Sequence, residues 1–149
     1  MLLWEGLPLM STERMAKVKS LLKVAQDFLA EAEWLLGKVI SEDDDYLFTE
    51  IASKLLKAVS LAADALIYCH LKEYPSGSLE RLRMLESLEA VNVEAGGKQV
   101  KTGYELLERD LQEIIFGEGL VELSRVRREL ERIKEYLSKV RSLTTVSGS

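Results

Sequence analysis

The stretch from Tyr46 to His70, YLFTEIASKLLKAVSLAADALIYCH, constrains this chain more than any other. Phe48, Ile51, Leu55, Ala58, Ala62, Ala65 and Cys69 recur at spacings of three and four, and Ala52, Val59, Ala63 and Leu66 make a second seam beside them. That period belongs to an α-helix and not to a strand. From Ala58 to Cys69 only Ser60, Asp64 and Tyr68 are polar. A helix apolar round most of its circumference has to be enclosed by other helices. Its small residues Ala58, Ser60, Ala62, Ala63 and Ala65 let those neighbours approach closely. A chain of 149 residues with 47% apolar content has room for one such domain and enough material for its core.

The flanking segments supply the neighbours. Ser11 and Thr12 are N-cap types, and Glu13 suits the first turn of a helix. Met15, Val18, Leu22, Ala25, Leu29, Ala32 and Leu36 follow at helical spacing, with Leu21, Phe28 and Leu35 widening the stripe up to a stop at Gly37. The acidic turn SEDDD, Ser41 to Asp45, lacks the spaced ligands and Gly of a calcium loop. Asp43, Asp44 and Asp45 are expected instead to cap the central helix. That helix is expected to end near Glu73, before the break Tyr74-Pro75-Ser76-Gly77. Ser78 then suits the cap of a third helix, with Leu79, Leu82, Leu85 and Leu88 inward. The pattern fades over Val91 to Lys98, where Gly96-Gly97 indicates a loop or a bent junction. A fourth helix carries Val100, Tyr104, Leu107, Leu111, Ile114 and Ile115, and Gly117 and Gly119 mark a turn. A last helix carries Leu123, Val126, Leu130, Ile133, Leu137 and Val140, and the end SLTTVSGS reads as frayed. The expected fold is all-α: a single antiparallel up-and-down helical bundle of four long helices plus a short one. Residues 1–10 form a tail, 11–143 the bundle and 144–149 the frayed C-terminus.

Bulk properties narrow the function classes. A net charge of −5 argues against a domain whose main task is to wrap phosphates, although it leaves room for a local basic patch. One cysteine rules out an internal disulfide. No apolar run approaches the roughly 20 residues of a membrane span. The start MLLWEGLPLM lacks the basic residues and cleavage site of a signal peptide, so a cytoplasmic location is expected. Few Asn and Gln beside many charges suit a thermophile. Met10 and Met15 are alternative starts. If the tail is real, Leu2, Leu3, Trp4, Leu7 and Leu9 need cover, either from their own bundle or from a partner chain.

Each residue type that suggests chemistry has a plainer reading beside it. Cys69 and His70 are adjacent on a helix, so their side chains diverge by about 100°. No second His completes a zinc site, and Cys69 falls on the inward seam as a small core residue. His70 lies near a helix C-terminus, where the dipole favours an imidazolium; a structural or surface role is the plain reading and proton transfer the sharper one. Asp64 interrupts the apolar run one turn before Tyr68. It is read as an edge facing solvent or an interface, since a buried acid would need a partner. Arg125, Arg128 and Arg132 gather within two turns, with Arg127 beside them, and are candidate phosphate contacts. Glu129, Glu131 and Glu135 interleave them, which favours a charge-laced solvated face. No phosphate loop, dinucleotide fingerprint, nucleophile elbow or zinc-protease motif is present, and one His forbids paired Glu-x-x-His metal ligation. No cofactor is implied.

The span from about Val24 to Tyr74 resembles the HEPN superfamily of helical bundles, and within it the archaeal PaREP1-like proteins. The resemblance is carried by a helix, an acidic turn, an aromatic and an Ala-rich helix, with Ala52, Lys54 and Ala58 fitting a pattern A-x-K-x-x-x-A. It implies an up-and-down bundle that often dimerises and often partners small nucleotidyltransferases. Active members of that superfamily are ribonucleases with an Arg, then four to six residues, then a His. Here Ala63, Asp64 and Ala65 occupy those positions, so the motif is absent. The leading expectation is therefore a non-catalytic interaction module, a homodimer with a protein partner, for which Asp64, Tyr68, His70 and Trp4 are interface candidates. The alternatives are a divergent ribonuclease or RNA-binding protein using Arg125, Arg128 and His70, and a purely structural homo-oligomer.

Overall fold

The computed structural model describes residues 12–40, 44–90, 100–117 and 119–144. These form a helical bundle of five helices: α1 Thr12–Leu36, α2 Asp45–Leu71, α3 Ser78–Ala90, α4 Val100–Phe116 and α5 Leu123–Thr144. Strands are absent among the described residues. The tail 1–10 with Trp4, the N-cap candidate Ser11, Asp43, the Gly96-Gly97 junction and residues 145–149 lie outside the described residues.

α2 is the hub, touching each of the other four helices, with its most extensive packing on α1. Ile51, Leu55, Ala58, Val59, Ala62, Ala63, Ala65, Leu66 and Ile67 are wholly inaccessible. Both apolar seams read from the sequence are thus inside. The other helices offer α2 one stripe each: Val18, Leu22, Ala25, Leu29 and Ala32 from α1, Val100, Tyr104, Leu107, Leu111 and Ile114 from α4, and Val126, Leu130, Ile133, Leu137 and Val140 from α5. α3 buries Met84, Leu85 and Leu88, but Leu79, expected inward, stands 72% exposed. With only 13 residues, α3 presents its last two turns to the core and its first turn to water.

Three local details differ from expectation. Asp44 occupies the N-cap position of α2 but makes no side-chain capping bond; its Oδ2 accepts the Ile40 amide at 2.8 Å and closes the α1–α2 turn instead. α2 stops at Leu71 because Lys72 takes a left-handed conformation, φ 61°, and donates its amide to the Tyr68 carbonyl at 3.0 Å. This C-cap geometry is usually left to Gly. Ser78 spends its hydroxyl on Glu108 of α4 at 2.6 Å rather than on its own helix end. Gly117 ends α4 as expected: its amide bonds the Glu113 carbonyl, and a Cβ at this position would run into that carbonyl. Among the described residues no helix is long and apolar enough to cross a membrane.

Candidate functional site

The most connected polar cluster lies where α2, α3 and α4 meet. Asp64 sits on α2 one turn after Ser60, so both carry oxygen to the same face. Arg81, one turn into α3, grips Asp64 with two prongs: Nε to Oδ1 at 2.7 Å and Nη2 to Oδ2 at 3.3 Å. Nη1 reaches the Tyr104 hydroxyl of α4 at 3.3 Å. That hydroxyl also meets Ser60 Oγ at 3.2 Å and donates to Glu108 Oε2 at 3.0 Å, while Ser78 donates to the same carboxylate. The Arg81 and Asp64 side chains keep only 14% and 15% of their exposure. Burial pushes the Tyr104 pKa up, against the opposing pull of the Ser60 hydrogen bond and the Arg81 charge. Asp64 is therefore not a free edge acid: its partner is Arg81, and the cluster ties three helices together.

Beside this cluster an open, mainly apolar groove of about 460 Å³ runs between Phe28 of α1, Leu56 and Leu61 of α2, and Arg81. Tyr136 of α5, which lines a separate small cleft with Gly103 and Leu107 of α4, is buried and keeps a hydroxyl with no hydrogen-bond partner among the described residues. Its pKa is driven far up by burial first, with Tyr104 and Asp64 adding and Arg81 opposing.

The second charged cluster joins α4 to α5. Arg132 Nη1 binds Asp110 Oδ2 at 2.7 Å and Glu129 Oε1 at 2.8 Å. Arg125 Nη2 binds Glu113 Oε1 at 2.8 Å and approaches the Asp110 carbonyl at 3.4 Å. Arg125 and Arg132 are thus held by carboxylates, while Arg128 is exposed. Glu129, taken from the sequence as a surface charge, is fully buried, and its Oε2 has no hydrogen-bond partner among the described residues. Burial raises its pKa; Arg132, Arg128 and Arg125 pull it down and Asp110 adds to the rise. Its position three residues after Val126 and four before Ile133 puts it on the inner face of α5, and only the interleaved charges disguised this in the sequence.

The remaining candidates separate. Tyr68 is half-buried and stacks on Tyr74, with ring centroids 4.5 Å apart and Lys17 of α1 over both rings. Cys69 is buried, and its thiol is pushed up by burial more than Arg14 lowers it. Arg14 Nη1 bonds the Cys69 carbonyl at 2.9 Å, stitching the start of α1 to the end of α2. His70 is exposed as a residue, yet burial of its ring lowers its pKa; a backbone hydrogen bond at Leu143 opposes this and Arg14 adds to it. The dipole-favoured imidazolium read from the sequence is therefore outweighed. Asp64, Tyr68 and His70 do not converge on one point, because Asp64 turns to α3, Tyr68 to Tyr74 and His70 to α5. Among the described residues no group of three or more His, Cys, Asp and Glu side chains is placed to hold a metal ion. Comparison of the chain with protein-family models, with curated proteins and with solved structures gives no match.

Proposed function

We propose that the chain is a non-catalytic helical interaction module, built as an antiparallel up-and-down bundle. Cross-helix pairs support that arrangement. Gln26 meets Arg141 and Glu33 meets Lys134, so numbers rise along α1 as they fall along α5. Ser60 lies against Tyr104, while Phe48 lines one cleft with Ile114 and Ile115, the same reversal between α2 and α4. The observation that carries the functional reading is the apolar surface left in water: Trp34, Ile40, Tyr46, Phe116 and Leu120 are large, exposed and placed at helix ends or in turns. Exposed apolar surface beyond scattered single residues marks a place where another protein sits. The chain's most connected polar cluster, by contrast, spends its hydrogen bonds on itself, which suits a structural tie better than a reacting site.

The module acts as a homo-oligomer, most simply a dimer, and engages a protein partner. The resemblance over about Val24 to Tyr74 makes a small nucleotidyltransferase the first partner class to test. The experiment is capture with tagged protein from an extract of its native cells, with and without nuclease, followed by reconstitution of the complex from two purified components and a mass measurement in solution. A nuclease-resistant binary complex supports the module. Recovery of RNA, with cleavage by the pure protein that His70→Ala abolishes, overturns it in favour of a ribonuclease.

A further inference from the structure

We infer that the cleft between the start of α2 and the α4–α5 turn is a docking site for a basic, apolar segment of a partner protein. The inference rests on the interaction-module reading and names its surface and the partner's chemistry. The floor is Phe48 of α2, Ile114 and Ile115 of α4, and Val121. The cleft holds about 560 Å³, inside the roughly 300–1,000 Å³ range of pockets that receive ligands. Leu120 of its lining is 97% exposed, and Phe116, the next residue in the chain after Ile115, is 75% exposed. Tyr46 and Ile40 stand exposed on either side of Asp44 and Asp45. These residues leave large apolar side chains in water on the two chain segments that border the cleft.

Charge selects the occupant. Among the described residues the charged ones lining the cleft are Asp45 and Glu122, with no Lys or Arg. Neither carboxylate is paired with a basic side chain among the described residues. A segment that buries apolar side chains on Phe48 and Ile115 and sets Lys or Arg against Asp45 and Glu122 satisfies both features. A second copy of the chain brings its own net charge of −5 and is the poorer fit. The occupant is thus a different protein, recognised as an amphipathic helix in a groove.

The test uses the full chain and two labelled model peptides of about 16 residues. Both have an all-Leu face; one has Lys and the other Glu on the opposite face. Fluorescence anisotropy is expected to give saturable binding of the Lys peptide and at least tenfold weaker binding of the Glu peptide. Leu120→Ser and Phe116→Ser, at exposed positions that leave the core intact, should each weaken Lys-peptide binding at least fivefold. Glu122→Lys should do the same, whereas Glu86→Lys on α3, outside the cleft, should not. Equal binding of both peptides, or equal weakening by Glu86→Lys, overturns the proposal. So does a concentration-dependent dimer that Leu120→Ser dissociates, because a second copy then owns the cleft. If a reconstituted partner complex survives Leu120→Ser and Phe116→Ser, the module reading stands and this surface is the wrong one.

Discussion

Replacing Arg81 by Met strips the Asp64 carboxylate of both of its donors, at 2.7 and 3.3 Å, while leaving it 15% exposed. Removing one partner of a fully buried ion pair costs roughly 3–5 kcal/mol, and each lost charged hydrogen bond roughly 1.5–3 kcal/mol. The residual exposure lets water reach one side of Asp64. Tyr104 keeps Ser60 and Glu108 as partners, so it adds little. The expected loss is about 3 kcal/mol, which for a domain near this size lowers Tm by about 6–12 °C. Asp64→Leu leaves Arg81 with Tyr104 and a route to solvent, and should lose about 2 kcal/mol. The double variant carries no stranded charge and should lose only about 2 kcal/mol, well short of the sum of about 5. Urea and thermal unfolding followed by circular dichroism on all four proteins measures the cycle. If the double variant loses the sum of the singles to within about 0.5 kcal/mol, Arg81 and Asp64 are not coupled and the buried tie is refuted.

Other consequences follow from single side chains. Tyr136→Phe deletes a buried hydroxyl that has no partner, so stability should hold or rise by up to about 1 kcal/mol, whereas Tyr104→Phe, which loses Ser60, Arg81 and Glu108, should cost about 2 kcal/mol. Equal losses in urea titrations of the two would contradict the assigned partners. Burial holds the Glu129 pKa above its usual 4.5, so the folded state binds the proton more tightly than the unfolded chain. That contribution is complete below the unfolded pKa and is lost as pH rises through the folded one. The stability of the wild type relative to Glu129→Gln should therefore fall as pH is raised from about 4 to 7; a flat difference across denaturation curves would show the carboxyl to be unperturbed. Ala62→Leu and Ala63→Leu force bulk into the fully enclosed face of α2 and should each cost at least about 1–3 kcal/mol, read as a lowered urea midpoint, while a variant that folds unchanged would place that face at the surface.

The helices were legible because hydrophobic periodicity is a local property of the chain. The two seams from Phe48 to Cys69 specify a helix enclosed on most sides without reference to what encloses it, and α2 is that helix. Gly37, Pro75 and Gly117 mark breaks for equally local reasons. Leu79 was misread because a three-residue spacing shows which residues share a face but not how far along a short helix the core extends. Asp64 was recognised as an interruption, but its partner was not. Arg81 lies 17 residues away across a turn; its spacing from Leu85 and Leu88 sets it on their face, unlike Arg83, which pairs with Glu80 at the surface, but spacing within α3 does not say which acid of another helix it meets. Glu129 was concealed by its neighbours: Arg125, Arg128 and Arg132 made a mixed-charge face the simplest reading, although its spacing from Val126 and Ile133 is internal. The sequence by itself determined which segments are helical, which helix is central and which chemical motifs are missing. The tertiary structure alone decided which charges meet, which oxygens are stranded and where apolar surface stays in water, because those depend on the rotation and register of each helix against its neighbours, and side-chain spacing within one helix does not encode them.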